Sequence, residues 1–342
     1  MLIRAFITHK KAEQFSDCQD RFSIAVDTKS IALSDGMSQS IYQKQWARIL
    51  VDRYTSEINW VPNKESVKEL TSQWREEVQD FIKSQKEAGN QGIWRAERML
   101  SDGKSAGATF LGIRFNGKDW SGYVLGDSCL IKINNNKIEE ICSSQEGESF
   151  DNYPDYFDSN LQNEGKGIPK QIKGTLGPNT PIFMVSDPFS DYLQKAKGTP
   201  EESTLIKKLL DIQNHQEFEE VIEDWRRNGM HNDDSTLIVV IDDGSEYFNL
   251  DRVDSIDELI EKGDPTEESN QQTTSLIKKP QESITKEVIN QQEKVYKISE
   301  IAKKITSVII TYLSNSRIAK NITLNHKDKL EERIKKVLCD FF

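Results

Sequence analysis

Apolar residues recur along this chain with two different periods, and the switch between them marks out its elements. Eight short runs are β-branched or alternating, are bounded by turn formers, and read as strands: LIRAFIT (2–8), RFSIAV (21–26), SIALSD (30–35), TFLGIRF (109–115), SGYVLG (121–126), CLIKI (129–133), PIFMVSD (181–187) and STLIVVI (235–241). Helical spacing appears over 40–58, where Ile41, Ala47, Ile49, Leu50 and Tyr54 line up, and over 65–85, where Val67, Leu70, Trp74, Val78, Phe81 and Ile82 form one stripe. A third helix, over 217–229, runs into Gly229, a helix stop. Trp46, Trp74 and Trp225 fall on these stripes and are expected in the core.

The strands come in consecutive groups with helices inserted in pairs. That order favours antiparallel sheets with helices packed outside over an alternating parallel fold. Residues 143–175, rich in Gly, Asn, Asp and Ser, read as a long surface excursion. After Asp243 the pattern changes: 261–283 is polar, poor in aromatics and linker-like. Helical signal then returns, with a heptad-like stripe from Val295 through Ile298, Ala302, Ile305 and Ile309 to Tyr312. A second runs through Leu330, Ile334, Val337, Leu338 and Phe341. The 295–312 stripe is a candidate contact surface for self-association, for the preceding domain or for a partner, with an intramolecular packed helix as the alternative.

Composition narrows the chemistry. The chain has 342 residues, 36% hydrophobic and 30% charged, enough for one large domain or two ordinary ones with part of the chain outside any core. A net charge of −11 argues against nucleic-acid binding, which needs a lysine and arginine surface, and suits a protein that collects divalent cations. Cys18, Cys129, Cys142 and Cys339 match neither a zinc motif nor a disulfide framework and read as reduced thiols of a cytoplasmic protein. The apolar stretch in MLIRAFITHKK is too short for a signal peptide, and VIITYL is too short to span a bilayer.

Candidate chemistry sits where strands begin or end. Asp35 follows SIALS, Asp127 follows YVLG and Asp187 follows IFMVS, while Asp20 and Asp233 stand just before strands. Aspartate is common in turns, which accounts for any one of these. Five in one domain, two of them in the near-duplicates ALSDG and MVSDP, point instead to carboxylates aimed at a shared cation. Clustered buried carboxylates repel one another unless a cation neutralises them, and oxygen-only ligands select hard ions such as Mg²⁺ or Mn²⁺. With four histidines and no His-x-Glu or His-x-x-x-His pairing, a zinc hydrolase is disfavoured, and His231 reads as a loop residue.

In order and context these motifs resemble the metal-dependent serine/threonine protein phosphatases of the 2C type, bacterial members in particular, over about residues 1–242. CQDRF looks like the first acidic motif. SDGM resembles the Asp-Gly element, which carries Met at its third place in many bacterial members. GAT (107–109) looks like the small-residue strand motif, and GDS (126–128) matches directly. SDPFSD resembles the later Ser-Asp-Gly-x-x-Asp element, and DDSTLIVV the closing strand.

The resemblance implies roles. Asp35 would bridge two Mg²⁺ or Mn²⁺ ions, with the Gly36 carbonyl on one of them. Asp187 and Asp233 would hold the second, and Asp20 would hold water at the ions. Asp127, with Asp187, would contribute to a weaker third ion, and Asp234 would stand behind these ligands. Asp20 and Asp35 are thus the catalytic candidates. A basic residue upstream of the first acidic motif often binds phosphate in this family, which makes His9, Lys10 and Lys11 candidates. Two ions roughly 3.5–4 Å apart lower the pKa of a shared water and clamp the phosphoryl oxygens during in-line attack. No protein nucleophile is then required.

Departures from the family pattern are local. Met37, Ser38 and Gln39 stand where more glycines usually follow the Asp-Gly element, Pro188 replaces a glycine, and Met37 cannot act as the histidine acid some members carry there. Taken with the composition, the resemblance implies an α+β fold. This is an α/β/β/α sandwich of two mainly antiparallel sheets flanked by helices, with a C-terminal helical extension. A 2C-type phosphatase domain is expected over 1–245, a polar linker over 246–285 and the extension over 286–342. The expected activity is metal-dependent hydrolysis of phosphoserine or phosphothreonine on proteins, with a cognate kinase or its target as partner and neither nucleic acid nor membrane involved. The alternative is a pseudophosphatase serving as a regulatory binding module; the departures favour it and the full set of acids opposes it. A two-metal nuclease is disfavoured by the acidic balance.

Overall fold

The near-continuous apolar run at 235–241 is the signature of a strand covered on both faces, and in a computed structural model of the chain it lies inside a four-layer α/β/β/α sandwich. The structure describes residues 1–90, 92–144, 154–160, 167–245 and 247–262. The first sheet has six strands in the order β13 (Asn249–Val253), β1 (Leu2–Thr8), β12 (Ser235–Ile241), β11 (Ile182–Val185), β7 (Cys129–Asn134) and β8 (Lys137–Cys142). The second has five, ordered β10 (Lys170–Thr175), β6 (Asp119–Leu125), β5 (Phe110–Asn116), β3 (Ser30–Ser34) and β2 (Arg21–Ala25). All of these pairings are antiparallel except β13 with β1. A short pair, β4 (Gly107–Ala108) and β9 (Phe157–Asp158), completes the set.

Side-chain alternation builds the layers. On β12, Ile238 and Val240 enter the core between the sheets, where they join Ile3, Ala5 and Met184 from their own sheet and Ile31, Leu33, Leu111 and Ile113 from the other. Leu237 and Val239 point the opposite way, toward Phe189, Phe218 and Trp225. Those aromatics come from α4 (Asp187–Ala196) and α6 (His215–Arg227), which with α5 (Glu202–Asp211) cover the first sheet. A slip of one residue in β12 would exchange its two faces, so the packing fixes the register. Thr236 shares the inward face of Ile238, which sends its hydroxyl into the space between the sheets.

The second sheet is covered by α1 (Gln43–Ser56) and α2 (Lys64–Glu87), followed by α3 (Ile93–Ser101). Asn63 caps α2 by accepting from the Ser66 amide, and the Ser66 hydroxyl accepts from the Asn63 amide in return. Val67, Leu70, Trp74, Val78 and Ile82 of its stripe are buried. Phe81 is 40% exposed and packs edge-on against Tyr42 instead, because 81 lies at the margin of the stripe. The helix at 215–227 ends as expected: Gly229 follows it with φ at 102°. Trp46, Trp74 and Trp225 are all buried, and Cys18, Cys129 and Cys142 are buried free thiols.

The compact unit runs from Met1 to Glu267, beyond residue 245. β13 adds a strand beside β1, and Phe248 enters the inter-sheet core. The N-terminal ammonium donates to Asp243 Oδ1 and to the Ser245 and Tyr247 carbonyls at 2.7–2.9 Å. α7 (Ile256–Lys262) closes the described chain. The first part of the stretch read as a 246–285 linker is therefore ordered sheet and helix. Its remainder, the extension over 286–342, the 295–312 and 330–341 stripes and Cys339 lie outside the described residues. Within the 143–175 excursion, β9 and β10 are described. Among the described residues, no helix is long and apolar enough to cross a membrane.

Candidate functional site

The strand ends at one edge of the sandwich converge on a pocket of about 530 Å³ whose lining includes Asp35, Gly36, Thr109, Asp127, Asp187 and Asp233 together with Met37, Ser38, Gln39, Asp191 and His231. Chain direction explains the convergence. Asp35 follows β3, Asp127 lies in the turn from β6 to β7, Asp187 opens α4 directly after β11, and Asp233 stands two residues before β12. Four carboxylates separated by up to 198 residues in sequence (35 to 233) thus face one volume.

Each is held by its backbone. Asp35 N–H donates to Thr109 Oγ1 at 3.0 Å, its carbonyl accepts from the Thr109 amide at 2.9 Å, and Thr109 Oγ1 is 2.8 Å from Ser128 Oγ. Asp127 follows Gly126, whose φ is +95° and whose missing Cβ would lie 2.7 Å from Thr109 Cγ2, so both conformation and space require glycine. Asp187 sits in the first turn of α4 after the N-cap Ser186, with Pro188 where its lacking N–H costs no helical bond. That position also sets the helix dipole against the carboxylate's charge. Asp233 is fixed from behind: its carbonyl accepts from Arg226 Nη2 at 2.7 Å, and the same nitrogen donates to the His9 carbonyl at 3.1 Å and Ser235 Oγ at 3.2 Å.

Behind the pocket wall lie two more acids. Asp20 is 0% exposed; its Oδ2 accepts from Thr236 Oγ1 at 2.7 Å, and its Oδ1 is buried without a hydrogen-bond partner. Asp234, 2% exposed, ties loops together, accepting from the Lys10 amide at 2.9 Å and the Gln19 amide at 2.7 Å. The adjacent acids at 233 and 234 therefore do different things. The first faces the pocket and the second holds the segments bearing Lys10 and Asp20.

Electrostatics confirm that these carboxyls crowd one another. Burial, and then the charges of Asp20, Asp187, Asp127 and Asp233, push the Asp35 carboxyl well above the usual range. Asp187 is pushed up in the same way, by burial and then by Asp127, Asp233 and Asp20, with some relief from Lys10. Asp20 is raised to about 7, by burial first and by Asp234 next. Burial also raises Asp234, against the stabilising amides of Gln19 and Lys10.

The basic candidates part company here. Lys10 reaches the cluster, with Nζ 2.9 Å from Asp233 Oδ1 and 3.1 Å from Ser38 Oγ. Burial disfavours its charge, but the hydrogen bond and charge of Asp233 outweigh that and raise it to about 12. His9 lies with its ring edge-on to Phe15 and Nδ1 2.7 Å from the Lys10 carbonyl. Lys11 is exposed and donates its amide to Asn232 Oδ1. Sequence reasoning missed Arg226 and Thr236, because a helix arginine and a threonine at the head of a strand carry no local signal of what they reach. It placed His231 in a loop, and the residue is in a loop that lines the pocket.

The donor set fits divalent cations. Asp20 Oδ1 and Asp187 Oδ1 are buried without partners, an arrangement that costs about 1–3 kcal/mol per polar group and more for a charged one. One Lys10 ammonium does not offset four facing carboxylates, and oxygen ligands suit Mg²⁺ or Mn²⁺.

No protein-family model matches the sequence, and no curated protein matches it. Several of its structural neighbours are bacterial serine/threonine phosphatases. The S. agalactiae serine/threonine phosphatase is 12% identical, with 70% of this chain and 98% of that one covered and a TM-score of 0.44. Serine/threonine phosphatase Stp1 of Staphylococcus aureus is 15% identical, with 69% and 93% covered and a TM-score of 0.44. PppA of Pseudomonas aeruginosa is 15% identical, with 70% and 96% covered and a TM-score of 0.44.

Proposed function

We propose that this pocket is the active site of a divalent-metal-dependent phosphatase acting on phosphoserine or phosphothreonine in proteins. The observation that carries the proposal is the meeting of Asp35, Asp127, Asp187 and Asp233 at one pocket, backed by buried Asp20. The resemblance of the acidic motifs to those of the 2C-type phosphatases implies the reaction class and the substrate class. Asp35, Asp187 and Asp233, with the Gly36 carbonyl, would hold two Mg²⁺ or Mn²⁺ ions, and Asp127 with Asp187 a weaker third. When bound, such ions supply positive charge opposite phosphoryl oxygens and make a water acidic enough to attack at neutral pH. The chain's own residues set the geometry for this. Thr109 fixes the backbone of Asp35, Arg226 fixes that of Asp233, and Asp20, anchored by Thr236 behind the pocket wall, would hold a water at the ions. Lys10, whose Nζ lies 2.9 Å from Asp233 Oδ1, would be the residue to meet a phosphate oxygen, with His9 and Lys11 as the other candidates. The reading extends to a separable C-terminal part, which would leave catalysis to the first unit.

Asp35→Asn and Asp233→Asn keep side-chain size and remove charge. In each, turnover of an aryl phosphate with Mn²⁺ should fall by about three orders of magnitude or more, and stabilisation by added Mn²⁺ should weaken, because an ion bound only by the folded state raises its apparent stability. Variants that keep full turnover and full metal stabilisation would sink the assignment. Wild type that binds Mn²⁺ without turnover would instead favour a regulatory binding module.

A further inference from the structure

We infer that His231 adds a nitrogen ligand to the cation site of Asp187 and Asp233, and that this makes the pocket prefer Mn²⁺ over Mg²⁺. The inference rests on the pocket being a divalent-cation site, and it concerns which ion that site selects. Among the described residues, a ligand atom from each of Asp187, His231 and Asp233 can be chosen so that all three lie within 4.8 Å of one another. Around one ion at about 2.1 Å, opposite ligand atoms stand about 4.2 Å apart and adjacent ones about 3 Å, so the three side chains would have to draw in around an ion to share it. A second observation points to the same place: Asp187 Oδ1 is buried and has no hydrogen-bond partner.

His231 is free to serve. Its side chain is 70% exposed, and its Nδ1 is 4.0 Å from Asp233 Oδ2, beyond hydrogen-bond range, so that contact does not fix the ring. The residue lies in the short segment after Gly229 whose backbone Arg226 secures at Asp233, so the imidazole is carried to the pocket by the same loop that carries a carboxylate. Magnesium demands near-ideal octahedral oxygen coordination and keeps its waters, whereas imidazole suits borderline transition ions, and affinity rises through the series from Mn²⁺ onward. An imidazole beside two carboxylates therefore adds affinity for Mn²⁺ that it does not add for Mg²⁺. In the bland alternative, His231 is a surface side chain near a carboxylate and touches no ion.

The full chain, stripped of metal and loaded with Mn²⁺ alone, provides the test. Pulsed electron paramagnetic resonance reads modulation from a directly coordinated ¹⁴N, independent of turnover. Wild type should show it, and His231→Ala and His231→Gln should not. In both variants the Kd for Mn²⁺ should rise about tenfold, at the lower end of what disturbing the surroundings of a metal ligand costs, while that for Mg²⁺ changes less than about twofold. Because the side chain is exposed, the variants should fold as wild type does, which melting in chelator checks. Absence of nitrogen modulation in wild type that binds Mn²⁺, or its persistence in His231→Ala, overturns this inference and leaves the cation site standing. Failure of any divalent ion to stabilise wild type overturns the site itself and this inference with it.

Discussion

Asp20→Asn should make the metal-free protein more stable, and the gain should depend on pH in a way the structure specifies. Asp20 is 0% exposed, and burial followed by the charge of Asp234 raises its carboxyl from 3.8 to about 7. Below pH 4 the carboxyl is protonated in both the folded and unfolded chain and contributes no pH dependence. Between about pH 4 and 7 the unfolded chain has released this proton while the folded one retains it, so stability falls as pH rises and levels off above about 7. At about 1.4 kcal/mol per pH unit, the difference is on the order of 4 kcal/mol.

Asparagine removes that term and keeps an oxygen to accept from Thr236, and its amide can donate toward the surrounding carboxylates. In chelator above pH 7.5, Asp20→Asn should therefore melt higher than wild type by about 10 °C, at about 2–4 °C per kcal/mol for a domain of this size. Near pH 4 the two should nearly coincide. Saturating Mn²⁺ should narrow or reverse the gap, because the cation compensates the wild-type charge. Chemical or thermal denaturation across the pH range provides the readout. A variant that is no more stable than wild type above pH 7.5, or that retains the wild-type slope between pH 4 and 7, would refute the view that this buried carboxylate is held at a cost.

The acid placements were legible in the sequence because turn chemistry and strand ends are local signals: Asp35, Asp127, Asp187 and Asp233 each flank a run that reads as a strand on its own. The eight runs became β1, β2, β3, β5, β6, β7, β11 and β12, most of them buried and rich in branched side chains. Two of the missed strands share a different physics. β10 (KQIKGT) is an edge strand whose side chains are mostly exposed, and β13 (NLDRV) is exposed throughout, so neither carries a period. Their pairing to β6 and β1 is dictated by backbone partners far away in sequence. α4 was hidden behind Asp187 and Pro188, which read as a strand ending and serve equally as a helix start. The split between Asp233 and Asp234 was likewise invisible, since only the loops bearing Lys10 and Gln19, brought there by the fold, give the second acid its partners.

Two further outcomes follow from tertiary ties around the same site. Arg226→Met removes the donor shared by the Asp233 and His9 carbonyls, so Mn²⁺ affinity, read by metal-induced shift in melting temperature, should drop about tenfold or more. Arg226→Lys, which can satisfy one of those acceptors, should recover part of it, and a methionine variant with unaltered affinity would show that Arg226 does not position Asp233. The last concerns where the first unit ends. A chain stopped at residue 267 should fold, melt like the intact protein in chelator and keep its response to Mn²⁺, because the compact unit closes there. One stopped at residue 245 loses β13, the buried Phe248 and the contact from His215 Nδ1 to Asp254 at 2.7 Å. Burying one aromatic side chain is worth about 1.5–3 kcal/mol, and β1 would be left as an uncovered edge beside β12, the strand that Asp233 precedes. The shorter chain should therefore melt lower and aggregate more readily, and equal stability of the two would show that residues 246–262 only decorate the fold.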